Sequence, residues 1–87
     1  MSGFIFLSDN ETEPECIKRL LFGTTEKGYV DSRFQEIKPA DVLFLYNYDS
    51  NTLRGPFRAL TYCERNIEPD AWKDFHHQGF PYQARVS

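Results

Sequence analysis

A run of apolar and aromatic residues near the middle of the chain most constrains its fold. Within residues 38–48, every position from 42 to 46 is apolar or aromatic. Such a continuous pattern predicts a strand covered on both faces, because a strand with one solvated face would alternate apolar and polar residues. Turn-forming residues follow at 49–52, and a second strand kinks at Gly55-Pro56. In a chain of 87 residues, this strand pair predicts a small barrel or a tightly curved sheet.

The rest of the chain predicts a few short elements around this pair. Residues 4–7 form a first strand, and Thr12 with Glu15 gives the capping-box pattern of a helix start. Apolar residues at helical spacing continue that helix, and Gly23 is expected to end it as a left-handed cap. The remaining elements are expected as a loop over 24–34, a strand over 53–64, a loop with one helical turn over 66–72 and a last strand over 80–86. In the last strand Phe80, Tyr82 and Ala84 alternate with Pro81, Gln83 and Arg85, as a half-buried strand requires. The fold class is therefore predicted as α+β, mostly antiparallel, with one principal helix.

Length and charge limit what the chain can do. Residues 1–87 are enough for a single domain. The net charge of -3 argues against non-specific duplex binding, but it allows a pocket that reads one nucleotide. The sequence has no serine nucleophile elbow, no phosphate loop and no pair of metal ligands at short spacing. It therefore predicts a non-enzymatic binding module without cofactor or metal.

The two cysteines predict no disulfide or metal chemistry. Cys16 and Cys63 lie far apart and read as two reduced, buried thiols. His76 and His77 are adjacent and cannot share one face of an element, which disfavours a zinc site with the cysteines. The sequence shows no membrane span and no signal peptide, so an intracellular, cytoplasmic protein without membrane contact is expected.

Several segments, in this order, closely resemble the development and cell death (DCD) domain. They are residues 3–7, 10–12, 18–23, 44–48, 53–55, 66–72 and 80–86. Two features depart from the family pattern. Thr24 follows Gly23 where the family usually continues with Leu-Pro, and the chain stops at Ser87 where family domains continue. The resemblance therefore leaves open that C-terminal closing elements of the family are missing from residues 1–87.

The DCD pattern is also similar to the PUA-like group, which includes the EVE, YTH and ASCH domains. This similarity implies a small PUA-like β-barrel with the helix packed on it. Many members of the group bind RNA or modified bases in an aromatic pocket between barrel and helix. The resemblance therefore implies recognition of RNA or a modified nucleotide. The alternative is a protein–protein interaction module of stress or cell-death signalling.

The resemblance also implies a set of binding residues. They are Ser8, Asn10, Phe22, Arg33, Tyr46, Tyr48, Arg54, Arg58 and Trp72. The polar turn at Ser8 would contact a base, and Trp72 is expected to be at least half-exposed beside that turn. Phe22 lies near the end of the first helix, where YTH domains have a cage tryptophan. The arginines would meet phosphates.

Each of these residues also has a structural interpretation. Phe22 and Trp72 would fill the core, Tyr46 and Tyr48 would be core residues with hydroxyls reaching solvent, and the arginines would form a solvated rim. An open sheet edge would invite self-association, so a monomer or weak dimer is expected.

Overall fold

The computed structural model describes residues 3–72 and 80–87. The described elements are β1 (Gly3–Ser8), α1 (Glu13–Arg19), β2 (Leu21–Thr24), α2 (Glu26–Asp31), a 3-10 turn (Phe34–Glu36), β3 (Val42–Asn47), β4 (Thr52–Arg58), β5 (Glu64–Arg65) and β6 (Tyr82–Arg85). Helices and strands alternate without forming a doubly wound sheet. The predicted α+β class is therefore confirmed.

The strands form two three-stranded sheets. The first has the order β1-β3-β4, with β1 parallel and β4 antiparallel to β3. The second has the order β2-β6-β5 and is antiparallel throughout. The predicted strand over 53–64 is shorter than expected, because β4 ends at Arg58 and Ala59 then bridges Val86 in the second sheet. The sheets thus join at one corner, and a closed barrel is not found within residues 3–72 and 80–87.

The apolar run forms β3, the central strand of the first sheet, as predicted. Leu43 and Leu45 are fully buried against the second sheet. Val42, Phe44 and Tyr46 point to the other side and are only half-buried. One face of the strand is therefore fully covered, whereas the other, expected to be buried too, stays partly open.

Gly55 marks a β-bulge, as its neighbour Pro56 predicts. The pairing of β3 with β4 shifts between Leu43 and Leu45. Gly55 has a φ of 148°, and a Cβ there would lie 2.5 Å from Cδ1 of Phe44. Both the unusual backbone conformation and the close approach explain why a glycine is needed.

The start of α1 differs from the predicted capping box. Thr12 is the N-cap, but its side chain makes no capping hydrogen bond to the helix. Oδ1 of Asp9 instead accepts two backbone N–H groups of the preceding turn, including that of Thr12 at 2.8 Å. Glu15, the expected partner in the box, accepts the backbone N–H of Trp72. The start of α1 is therefore held by a hydrogen bond from the loop over 66–72, and not by a capping box within the helix.

The end of α1 also differs from the prediction. Leu20, with a φ of 52°, is the left-handed C-cap, and Gly23 lies inside β2. Residues 24–34, expected as a loop, contain α2, whose N-cap Thr25 accepts the N–H of Gly28 at 3.1 Å. Helix α2 buries no residue fully, so it lacks the apolar stripe by which a helix is recognised in sequence.

The predicted last strand is present as β6, but its predicted alternation is wrong. Gln83 was expected to face solvent and is 1% exposed. Its amide is buried because its oxygen accepts the N–H of Glu68 at 2.6 Å and its nitrogen donates to the carbonyls of Glu68 and Phe80, each at 3.0 Å. These bonds hold the loop over 66–72, which consists of turns and bends without the expected helical turn.

A candidate binding cleft at the ends of β1 and β3

A cleft of about 310 Å³ opens where β1 and β2 end. Because β1 and β3 run parallel, their carboxyl ends meet at one edge, with Ser8 opposite Asn47. The cleft lining includes Ser8, Asp9, Thr12, Thr24, Thr25 and Tyr48. Hydroxyl groups, one carboxylate and two aromatic residues, Tyr48 and Phe80, therefore converge on a small concave surface.

Asp9 supplies the negative charge of the cleft. Its Oδ1 accepts the N–H groups of Glu11 at 2.9 Å and Thr12 at 2.8 Å, and the Thr12 hydroxyl at 3.1 Å. Its Oδ2 accepts the Tyr48 hydroxyl at 3.3 Å. Burial raises the pKa of Asp9, but the hydrogen bonds from Thr12, Glu11 and Tyr48 outweigh burial and hold the pKa below its usual value. The carboxylate of Asp9 is therefore ionised and held in one orientation. Because the hydrogen bond from Tyr48 to Oδ2 is long, Oδ2 can accept a further hydrogen bond from a ligand.

Tyr48 forms the aromatic side of the cleft. Its side chain is 55% exposed, and its backbone N–H donates to the carbonyl of Ser8 at 3.1 Å. Burial raises the pKa of Tyr48, and the charge of Asp9 raises it further. Tyr46, predicted with it as a binding residue, lies on the opposite side of β3 from the core and donates its hydroxyl to Asn51 at 2.7 Å. Of the two tyrosines, only Tyr48 lines the cleft that the structure describes.

The two polar turns beside the cleft hold each other in place. Ser8 is 2% exposed and donates its hydroxyl to the carbonyl of Tyr46 at 3.3 Å. The backbone N–H of Asn10 donates to Asp49, and its side-chain oxygen accepts the amide of Asn47, each at 3.0 Å. Of the predicted polar residues, Ser8 lines the cleft, whereas Asn10 does not line it and instead joins the two turns. Asp9, between them, lines the cleft.

The two aromatic walls expected from sequence are in the core. Trp72 and Phe22 are both 0% exposed, so the expectation of a half-exposed Trp72 is wrong. The indole N–H of Trp72 donates to the carbonyl of Thr12 at 3.3 Å, and its ring lies behind Gly23. Phe22 packs edge-on against Phe57, with ring centroids 5.0 Å apart. Neither ring offers a face to a ligand, because both are covered by the strands that carry the cleft.

The three candidate arginines do not surround the cleft. Arg54 pairs with Glu13 at 3.0 Å, and Arg33 pairs with Glu36 at 2.7 Å. Arg58 lies opposite Val42, at the amino end of β3, and the cleft is at the other end of that strand. The lining that the structure describes contains no lysine or arginine.

Four polar residues of the cleft are absent from the set predicted from sequence: Asp9, Thr12, Thr24 and Thr25. Asp9 follows a strand and lies between two candidate residues, and Thr12 is predicted only as a helix start. The sequence places Thr24 and Thr25 in a loop, because it predicts Gly23 as the end of the helix. The signal that could have placed these two threonines beside Ser8 is that they form a polar pair directly after the apolar segment 21–23.

The described residues offer no metal site and no reactive thiol. Within residues 3–72 and 80–87, no three His, Cys, Asp or Glu side chains lie close enough together to hold a metal ion. His76 and His77 lie outside these residues. Burial raises the pKa of Cys16 and of Cys63 to about 12. No helix in the described part of the chain is long and apolar enough to span a membrane.

The fold and cleft define a small α+β domain with a concave surface that combines hydroxyl groups, a carboxylate and aromatic residues. Comparison with known sequences gives its family. The development and cell death domain matches residues 2–87, so the chain belongs to the DCD domain family, as its sequence resemblance predicted. It is 44% identical to the B2 protein of Daucus carota over 89 residues, which cover 99% of this chain and 42% of that protein.

Two further relatives carry the family in their names. The DCD domain-containing protein NRP-B of Glycine max is 43% identical, and the alignment covers 99% of this chain and 26% of that protein. The DCD domain-containing protein NRP of Arabidopsis thaliana is 40% identical, with 99% and 25% covered. The chain thus spans between a quarter and about two fifths of the length of these curated relatives.

Proposed function

We propose that this DCD domain is a non-enzymatic binding module that recognises one nucleobase, of RNA or of a modified nucleotide, in the cleft. The observation that carries the proposal is the exposed ring of Tyr48 beside the fixed carboxylate of Asp9. A nucleobase has a flat π face and, in adenine, cytosine and guanine, an exocyclic amino group. The ring and the carboxylate match these two features.

Each recognition element has a defined task. Stacking a base on Tyr48 is worth ~1–3 kcal/mol. Oδ2 of Asp9 can accept a hydrogen bond from an exocyclic amino group, as carboxylates do with cytosine. The hydroxyls of Thr24 and Thr25 can donate to or accept from the base edge. A methyl group on the base would enter the apolar part of the lining, which includes Leu7.

Size and charge favour a single base over a longer strand. The volume of about 310 Å³ lies at the small end of ligand sites, which measure roughly 300–1,000 Å³. The described lining lacks a cation, and Arg54, on neighbouring β4, is already paired with Glu13. Phosphate contacts would therefore add little, and affinity should depend only weakly on salt.

The similarity to the PUA-like group also supports a base-binding cleft, because many members of that group bind RNA or modified bases. In this domain, as in the PUA-like group, a first strand runs into a polar turn and a helix, and a buried strand is followed by a strand with a glycine near its start. The proposal differs from the sequence expectation in the residues that bind. Tyr48 replaces Trp72 and Phe22 as the aromatic wall, since those two side chains are buried, and Asp9 takes the place of the arginines as the charged group.

Isothermal titration calorimetry with single nucleosides tests this function. Adenosine, cytidine, guanosine and their N-methylated forms should be compared with uridine, whose base has no exocyclic amino group. Tyr48→Ala should weaken binding by roughly 5- to 150-fold, which corresponds to the loss of one stacking contact of ~1–3 kcal/mol. Tyr62→Ala is the matched control, because Tyr62 is 57% exposed and does not line the cleft. Absence of binding by all nucleosides, or equal effects of the two substitutions, would refute the proposal.

A protein-interaction function is the second candidate. The observation that favours it is the open side of the first sheet, where Ile5, Leu7 and Leu53 are each more than half exposed. Contiguous apolar surface of this kind marks interaction sites in soluble proteins.

A further inference from the structure

The first sheet has an apolar surface turned away from the core, here called the outer face. Its members are fixed by the strand register, in which Ile5 is opposite Phe44, Leu7 opposite Tyr46, and Tyr46 opposite Leu53. Ile5, Leu7 and Leu53 are 52%, 60% and 55% exposed. The second sheet packs on the other side, where Leu43 and Leu45 are buried. The outer face is thus an apolar sheet surface without a covering layer among the described residues.

Charges of opposite sign lie at the two ends of the outer face. Asp9 and Asp49 follow the carboxyl ends of β1 and β3. Arg58 lies opposite Val42 at the amino end of β3, and the exposed Lys38 precedes that strand. The face therefore has an acidic end, an apolar centre and a basic end along the strand direction.

We propose that the outer face binds the outer face of a second copy of this chain, with the strands of the two copies antiparallel. A two-fold axis in the plane between the sheets, perpendicular to the strands, brings the apolar centres together. The same axis places the acidic end of each copy over the basic end of the other. An axis along the strands would instead superimpose like charges. Charge complementarity therefore favours a second copy of this chain as the partner, and it favours the antiparallel orientation of the two sets of strands.

The size of the face determines the strength of this pairing. Three strands of about six residues give a surface of roughly 10 by 20 Å at normal strand spacing. Stable interfaces bury about 800 Å² on each partner. Flanking side chains such as Tyr48 and Arg58 enlarge the contact but do not bring it to that size. The pair should accordingly be weak, with a dissociation constant between ~10 µM and ~1 mM.

The pairing can be tested separately from the proposed nucleobase site, although Leu7, Asp9 and Tyr48 contribute to both. Ile5 and Leu53 do not line the cleft, so substitutions there can test the interface without altering the cleft lining. Failure of one proposal therefore leaves the other standing. Leu7 is unsuitable for the test because it contributes to both surfaces.

Sedimentation velocity of the 87-residue chain tests the pairing. Between ~10 µM and ~1 mM, the range in which weak complexes form, the average mass should rise from one chain toward two. Ile5→Lys and Leu53→Lys, examined separately, should each keep the chain monomeric. Leu60→Lys is the matched control, because Leu60 is 52% exposed outside the first sheet, and it should leave the association unchanged.

Charge reversal tests the orientation. Arg58→Glu should weaken the dimer by roughly 10-fold, the effect of losing about 1.4 kcal/mol, and salt should reduce the difference between it and the wild type. Circular dichroism of each variant verifies that the fold is retained. A monomer at ~1 mM, association unaffected by Ile5→Lys, equal loss in Leu60→Lys, or growth beyond two chains would each overturn the proposal.

Discussion

Replacing Gly23 with alanine should destabilise the domain, because this strand residue lies directly against a buried indole. A Cβ at Gly23 would lie 2.6 Å from Cζ3 and 2.7 Å from Cη2 of Trp72, and 2.8 Å from Cβ of Phe80. Non-bonded carbon atoms are normally separated by ~3.5–4.0 Å. Since Trp72 is fully buried and its N–H is bonded to the carbonyl of Thr12, the ring or the strand must move by roughly 1 Å.

The expected free-energy change combines two opposing effects. Overpacking a close-packed core costs ~1–3 kcal/mol. Replacing a strand glycine with alanine otherwise gains ~0.5–1 kcal/mol, because the unfolded chain loses freedom. The net loss of ~1–2 kcal/mol should lower the melting temperature by ~4–16 °C in a domain of this size.

Thermal unfolding followed by far-UV circular dichroism measures this change. Gly3→Ala is the matched control, because a Cβ at this strand glycine would meet its nearest atom, the carbonyl oxygen of Val42, at 3.9 Å. Gly23→Ala should also cost much less in a Trp72→Phe background, where the smaller ring leaves room. A Gly23→Ala variant as stable as the wild type, or an equal cost in both backgrounds, would refute the packing of Trp72 on β2.

Two further substitutions test the bulge and the ion pairs. Gly55→Ala should destabilise the domain by ~1–3 kcal/mol, because its φ is 148°; an unchanged urea midpoint would argue against a strained position. Burial raises the pKa of Glu68, but hydrogen bonds and charge from Arg85 and Arg19 outweigh burial and lower it from 4.5. The stabilisation from these pairs is therefore present above that value and lost as pH falls through the lowered pKa. Glu68→Gln should flatten the loss of stability below about pH 4.5, and an unchanged pH profile would show that the pairs contribute nothing.

The sequence predicted the parts of the fold that depend on local pattern. The continuous apolar run placed β3 at the centre of its sheet, and Gly55 with its neighbouring proline located the bulge. The family resemblance was specific because its motifs follow one another over nearly the whole chain, and it is confirmed over residues 2–87.

The errors arose where tertiary contacts override local signals. The local pattern predicts Gly23 as a helix cap, a role glycine often has, but a glycine is required there because the indole of Trp72, some 50 residues away in the chain, lies against it. Gln83 looked like a solvated strand residue, yet its amide binds the backbone of Glu68. Trp72 could not be assigned to core or surface from sequence, since an indole fits either environment. The sequence predicts a pocket beside Ser8 but not the contribution of Thr24 and Thr25, because that part of the lining depends on where β2 lies beside β1.

Titration of ¹⁵N-labelled protein with a nucleoside, followed by two-dimensional NMR, tests the central claim most directly. Binding in the cleft should shift the amide signals of Asp9, Thr24 and Thr25. The indole N–H signal of Trp72 should move as well, because its ring lies behind Gly23 in the cleft wall. Signals of β5 and of Ile5 and Leu53 on the outer face should stay in place, because these residues do not line the cleft. Shifts confined to the outer face, or no shifts at saturating nucleoside, would contradict a nucleobase site at the ends of β1 and β3.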